Sequence, residues 1–293
     1  MPLFSIVIPT YNRSGQIVYA IESLLRQTFN SYEIIVVDDG SSDDTKEKLT
    51  GYITSGTIYY HHQENKGVCA ARNHGASKAK GSYLIFLDSD DEVLPEWLAD
   101  FKNLSDQGFS LLCCSMTVRK PGGGIKKVSC LDPYKNGGKD KGISIPGTWA
   151  IETDWFRSLG GFDEAIKYGE NTELKFRMMA DDKNWGFVDH HNLIYNESET
   201  GGSKQIKNKL QSNLHILAKH QHYFNQNPEV KRLFLSVAAV SAARLGMYVE
   251  ARRLFFLTWK TRKTNLKSIL QCMISMHPLL MRRKWKPISS NIQ

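Results

Sequence analysis

The sequence predicts an α/β fold: a mostly parallel sheet flanked by helices, followed by an α-helical extension. Three features of the chain carry that expectation. Strand and helix signals alternate through the first half, as a parallel sheet requires. The run Tyr83-Leu84-Ile85-Phe86-Leu87 is apolar throughout, which suits a strand covered on both faces. Charge then divides the chain. Residues 206–293 carry 16 Lys and Arg against two acids, Glu229 and Glu250, a net of +14; residues 1–205 carry 22 against 28, a net of −6. A domain over 1–205 and a basic helical extension over 206–293 are expected, with the boundary in the polar, Gly-rich stretch Ser198 to Lys204.

The elements follow in order. Phe4 to Pro9 reads as the first strand. Gly15 to Gln27 is helical, with Ile17, Ala20, Ile21, Leu24 and Leu25 on one face. Tyr32 to Val37 is a second strand running into Asp38-Asp39-Gly40-Ser41-Ser42, and Asp43 or Asp44 suits the cap of a short helix. Thr57 to His61 is a third strand and Val68 to Ala79 an alanine-rich helix. The strand into Asp88 follows, then a helix from about Pro95 to Leu104, where proline fits the first turn. Ser110 to Val118 is a strand. Residues 119–142 read as a long, basic, Gly-rich loop. Trp149 to Leu159 and Asn171 to Ala180 read as helices, with short strands near Phe187 and Leu193. The extension is helical over about 206–224, 229–245, 248–262 and 265–276. Leu245 to Phe255 resembles half of a tetratricopeptide-type hairpin, but a single copy points to an accessory hairpin rather than a repeat array.

Composition sets bounds on function. Hydrophobic residues at 41% and charged residues at 23% are ordinary for a folded soluble protein. The five cysteines (Cys69, Cys113, Cys114, Cys130 and Cys272) are odd in number and irregular in spacing. No disulfide framework or zinc site is expected, and a reducing compartment is favoured. The N-terminus has no basic n-region, so no signal peptide is expected.

The apolar run at Tyr83 ends in Asp88-Ser89-Asp90-Asp91, three carboxylates within four residues. Clustered carboxylates repel and resist desolvation unless a cation joins them, and hard oxygen ligands suit Mg²⁺ or Mn²⁺. Read alone, the acids equally suit an acidic loop or the cap of the next helix. Two further polar loops, Pro9-Thr10-Tyr11-Asn12-Arg13 and Asp38 to Ser42, follow earlier strands. In a parallel sheet such ends share one edge, where open α/β folds bind ligands. No GxGxxG follows the first strand and no GxxxxGK[ST] occurs, which counts against dinucleotide and P-loop sites.

These loops, in this order, resemble the family 2 glycosyltransferases of the GT-A fold. The resemblance continues through Asn65-Lys66-Gly67-Val68-Cys69-Ala70-Ala71-Arg72-Asn73-His74-Gly75, Leu159 to Glu164 and Gly169 to Leu174, covering about residues 3–200. It implies a nucleotide-sugar donor, probed first as a UDP-sugar, a saccharide or lipid-linked acceptor, and inversion in one displacement. Pro9, Thr10, Tyr11, Arg13, Asp38, Asp39, Arg72, Asp88 and Ser89 match nucleotide-contacting positions. Asp88 and Asp90 form the family's D-x-D, with Asp91 as a further contributor to a Mn²⁺ or Mg²⁺ site. The family's general base is commonly the Asp of a Glu-Asp pair, but here the pair is Glu170-Asn171, and an amide cannot take the proton. Glu170 is therefore expected as the base, with Glu173 as runner-up; a catalytically silent, glycosyltransferase-like binding protein is the rival. Trp149 and Trp155 are candidates to stack on an acceptor sugar, with Phe162 beside them, although such aromatics are more often core. His190 or His191 is a candidate further cation ligand.

The basic end, residues 269–286, is too short and interrupted to span a bilayer. It suits an interfacial helix on an anionic membrane, or a helix packed on the protein with a solvated end. No motif for reading nucleic acid occurs. The expected setting is cytoplasmic, peripheral on the membrane.

Overall fold

The computed structural model describes residues 1–131, 145–198, 205–261 and 265–287. Two compact units emerge: residues 1–164 with 177–199, and residues 165–176 with 200–293. A boundary at 205 does not anticipate that residues 165–176 group with the C-terminal helices.

The first unit is a nine-stranded sheet with flanking helices. The strands are β1 (Phe4–Thr10), β2 (Tyr32–Asp38), β3 (Tyr59–His62), β4 (Tyr83–Phe86), β5 (Glu92–Val93), β6 (Leu111–Arg119), β7 (Ile125–Val128), β8 (Trp149–Glu152) and β9 (Trp185–Asn196). Their order is β3-β2-β1-β4-β8-β6-β9-β5, with β7 on β6. β1 pairs parallel with β2 and β4, and β3 parallel with β2. β8 runs antiparallel between β4 and β6, so β6 and its parallel neighbour β9 share the direction of β1. The architecture is α/β as expected, but the sheet is mixed rather than mostly parallel in its pairing: among the described residues four strand pairs are parallel and four antiparallel, the reversals coming from β5, β7 and β8.

Local sequence explains these elements. β1 and β4 are buried along their whole length; β4 is apolar throughout, and β1 is apolar but for Ser5 and Thr10. Helix α1 (Ile17–Leu25) buries Ile17, Ala20, Ile21 and Leu24 but leaves Leu25 exposed. α2 (Thr45–Thr54), α3 (Val68–Lys78), α4 (Trp97–Asp106) and α5 (Thr153–Ser158) complete the unit, with the C-terminal end of α6 (Glu170–Met178). Gly75 on α3 lies so close to β1 that an added Cβ would sit 2.3 Å from Val7 Cγ1. That approach locks α3, and Arg72 with it, onto the sheet.

Three expectations change. Trp149 to Glu152 is strand β8, not helix, and helix starts only at Thr153. The stretch from Arg119 is partly a hairpin: β6 turns through Gly122 and Gly123, both at positive φ, into β7. The remainder of that expected loop, 132–142, lies outside the described residues, as do 199–204 of the expected boundary. The short strands near Phe187 and Leu193 are one strand, β9, irregular around Asp189 and His190.

The second unit is helical: α7 (Ile206–Lys219), α8 (Gln221–Gln226), α9 (Pro228–Arg244), α10 (Tyr248–Thr261), α11 (Leu266–Met276) and α12 (Pro278–Lys284). α9 and α10 form the expected hairpin. Gly246 turns it at φ 76°, and Ala238, Ala239, Ala242 and Ala243 pack with Ala251, Leu254 and Phe255. Phe176 joins Ile166, Ile216 and Phe224 in a smaller cluster, which accounts for residues 165–176 belonging here. Among the described residues no helix is long and apolar enough to cross a membrane.

Candidate active site

The parallel register sets the site. Thr10 lies opposite Asp38, and Val7 opposite Phe86, so β1, β2 and β4 end side by side. The Asp39 N–H donates to the Thr10 carbonyl at 2.8 Å, joining the first two loops. Asn12 adopts φ 51°, which asparagine tolerates, and its side-chain oxygen accepts from the Ser42 N–H at 2.8 Å.

The two acids of the second loop are fixed by different partners. Asp38 accepts from the Ser41 N–H at 2.8 Å and from the Tyr60 hydroxyl at 2.6 Å. Burial, and then this bond to Asp38, push the Tyr60 phenol well up. Asp39 accepts from Gln63 Nε2 (2.7 Å), the Lys66 N–H (2.9 Å) and the Gly67 N–H (2.8 Å), at the start of α3. A carboxylate has about four acceptor sites, so one remains for a ligand N–H. Thr10 Oγ1 is buried with no partner among the described residues. Tyr11 is exposed, and Pro9 is the penultimate residue of β1.

The third loop carries the cluster. Carboxylate oxygens of Asp88, Asp90 and Asp91 lie within 4.8 Å of one another. Arg72, buried on α3, donates to Asp88 Oδ1 at 2.7 Å, and its guanidinium lies 5.4 Å from the Phe162 ring centre. Arg13 Nη2 stands 3.8 Å from Asp90 Oδ2. Asp91 is fully buried: Oδ1 accepts from the Asn196 N–H at 2.9 Å, while Oδ2 has no hydrogen-bond partner among the described residues. Burial, then the charge of Asp88, raise the Asp91 carboxyl well above the usual range; the same causes raise Asp90. Tyr195 is raised by burial and by all three acids. A buried carboxylate oxygen with no donor, beside two further carboxylates, is a poor structural arrangement but a suitable hard-cation ligand set, so the residues fit Mg²⁺ or Mn²⁺. Ser89, between the first two acids, is buried.

Other candidates separate from this cluster. His190 Nδ1 pairs with Asp100 Oδ2 at 2.8 Å, and His191 sits opposite Ser115 in β9; the cluster itself is all carboxylate. The acceptor role expected for Trp149 and Trp155 is corrected by burial. Trp149 is enclosed with Phe86 and Phe162, and Trp155 is 4% exposed with Nε1 donating to Asp181 at 2.7 Å. Neither presents a free face to a sugar ring. Sequence reasoning missed Tyr60, Gln63 and Asn196, the residues that orient Asp38, Asp39 and Asp91; only the strand ends on which Tyr60 and Asn196 sit gave a signal.

Within the second unit, Glu170 opens α6, half-buried, and its Oε1 accepts from Asn171 Nδ2 at 3.3 Å. Glu173 is fully buried. Its Oε1 accepts from His220 Nε2 at 2.9 Å and meets Lys219 Nζ at 3.0 Å.

Residues 5–159 match the sequence profile of glycosyl transferase family 2. The chain belongs to that family. An uncharacterized glycosyltransferase of Rickettsia typhi is 31% identical over 204 residues, 66% of this chain and 63% of that protein. The GalNAc(5)-diNAcBac-PP-undecaprenol beta-1,3-glucosyltransferase of Campylobacter jejuni is 34% identical over 132 residues, 44% of this chain and 43% of its own. A match to a Rickettsia felis glycosyltransferase covers only 14% of that protein, so the chain spans less than two thirds of these relatives' lengths. The fold is similar to Staphylococcus aureus TarS in complex with UDP-GlcNAc, with TM-score 0.63 and 19% identity over 97% of this chain and 88% of that one.

Proposed function

We propose that this family 2 chain transfers a sugar, with inversion, from a nucleotide sugar, a UDP-sugar first among them, to a saccharide or lipid-linked saccharide. Asp88, Asp90 and Asp91 would hold Mn²⁺ or Mg²⁺, which supplies Lewis-acid stabilisation to the departing nucleoside diphosphate. The observation that carries the reading is the buried, partnerless Asp91 Oδ2 in a cluster of three carboxylates at the shared strand edge. Arg72 holds Asp88 in place and keeps a fixed positive charge near where phosphates would lie. Asp39 keeps one acceptor site for a base imide, and Thr10 Oγ1 is a second polar atom in want of a ligand. The UDP-GlcNAc of the TarS complex and the undecaprenol in the C. jejuni name support the donor and acceptor classes.

Glu170 is the proposed base, taking the proton of the acceptor hydroxyl. Glu170 is half-buried at the helix start and accepts from Asn171, and Glu173 is fully buried against Lys219 and His220. Asn171 is also the observation that favours the silent-binder reading. A screen of nucleotide sugars against saccharide and lipid-linked acceptors, with and without Mn²⁺, tests both: metal-dependent turnover supports the enzyme, and donor binding without turnover supports the rival.

A further inference from the structure

Helix α11 turns most of its large apolar side chains outward. A surface helix of a water-soluble domain normally turns its apolar stripe inward and its polar residues to solvent. Here the buried residues are Ser268, Cys272 and Ser275, with Ile274 partly buried against the core, and the outward face is Leu266, Leu270, Met273 and Met276, with Leu266 81% exposed. The orientation is held from within the unit: Arg252 Nε on α10 donates to the Ser275 carbonyl at 3.3 Å, and Asn265 caps the helix by accepting from the Ser268 N–H at 2.9 Å. α12 has an apolar inward side of its own but adds to the exposed apolar face. Met281 and Trp285 turn inward, with Trp285 stacked on Phe255 at 4.4 Å, while Leu279 and Leu280 stay exposed. Six large apolar side chains therefore face outward on two successive, anchored helices, too many for scattered surface residues.

The charge around this face selects its occupant. From Ala251 to Gln293 the chain has ten Lys and Arg and no Asp or Glu. Lys267, Arg282, Arg283, Lys284 and Lys286 are exposed on the same two helices or just after them. A second copy docked through the same face would set like charge against like charge, which opposes self-association of that face with itself. An apolar, extended and anionic partner is required, and the interface of an anionic bilayer meets all three conditions.

We propose that α11 and α12 dock the protein on an anionic membrane, with the Leu and Met side chains in the headgroup–acyl boundary and the basic cluster over the lipid phosphates. This goes beyond the transfer reaction and does not depend on it. The test is flotation of the full chain with vesicles of phosphatidylcholine containing about one third phosphatidylglycerol, beside pure phosphatidylcholine, with sedimentation of the protein alone. The expected result is a monomer that binds the anionic vesicles only and is released by high salt. Reversal of Arg282, Arg283 and Lys284 to Glu should weaken partition by about fivefold per charge. Leu270→Gln with Met273→Gln should weaken it by at least about tenfold with the thermal midpoint unchanged, since both side chains are exposed. Absence of binding at low salt, unaltered binding of either variant, or a dimer that the Gln substitutions dissociate would each overturn the proposal.

Discussion

Replacing Asp91 by Asn should stabilise the metal-free protein and remove its response to a divalent cation. The buried Asp91 carboxylate faces Asp88 and Asp90 with oxygens within 4.8 Å. Two unit charges at that distance repel by about 3 kcal/mol at an effective dielectric of about 20. Side-chain exposure of 29% at Asp88 and 24% at Asp90, with Arg72 and Arg13 alongside, screens part of this, leaving a gain of about 1–3 kcal/mol. The substituted amide oxygen keeps the acceptor for the Asn196 N–H, so no new orphan is made there. The pH dependence carries a sign. Because the folded-state pKa of Asp91 is raised, its contribution to stability is full below the unfolded value and is lost as pH rises through the folded one. The advantage of the variant therefore grows toward neutral and alkaline pH and vanishes in acid. Thermal unfolding in EDTA should show the variant's midpoint higher by about 2–4 °C for each kcal/mol. Saturating Mn²⁺, at about a hundred times its Kd, should stabilise the wild type by about 2.7 kcal/mol and the variant little, closing or reversing the order. A variant less stable than wild type in EDTA, or equal stabilisation of both by Mn²⁺, would refute the reasoning.

Glu170→Gln should lower transfer by about two to four orders of magnitude with donor binding retained, the usual contribution of a general base. Glu173→Gln should instead act on stability, by about 1–3 kcal/mol, because it weakens a buried ion pair with Lys219 and His220; a fully stable but inactive Glu173→Gln enzyme would move the base one turn along α6. Mn²⁺ affinity, titrated by calorimetry, should fall on acidification from a higher pH than ordinary carboxylates give, since Asp90 and Asp91 are both raised and protons compete with the ion. Gly75→Ala should destabilise by about 1–3 kcal/mol, the price of forcing α3 off Val7, and denaturant unfolding would show it.

The parallel half of the sheet was legible because burial on both faces makes β4 a continuous apolar run and β1 and β2 largely apolar ones, interrupted only near their starts by Ser5 and Glu33, and their polar ends mark the ligand edge. β8 was not. Its four residues precede a helix directly, and Ile151, Trp155 and Leu159, at i, i+4 and i+8, mimic one continuous helical face. β9 was split because Asp189 and His190 interrupt its apolar pattern where the register shifts. The cluster Asp88-Asp90-Asp91 stood out by its spacing, but spacing alone equally suited an acidic loop or a helix cap, and the family resemblance was needed to make it a cation site. The partners that orient the site come from distant positions, such as Gln63 on Asp39 and Asn196 on Asp91, and only the fold brings them there. The exposed apolar face of α11 was one of two readings the sequence left open, since periodicity reveals an apolar stripe but not which way it points.

The central claim is that Asp88, Asp90 and Asp91 bind a cation that in turn secures a nucleotide. The most direct measurement is calorimetric titration of UDP into the wild type and into Asp90→Ala, each with Mn²⁺ and with EDTA, with circular dichroism to confirm that the variant folds. The account predicts Mn²⁺-dependent binding in the wild type and its loss in the folded variant. Binding of UDP to Asp90→Ala with unchanged affinity and unchanged metal dependence would contradict it.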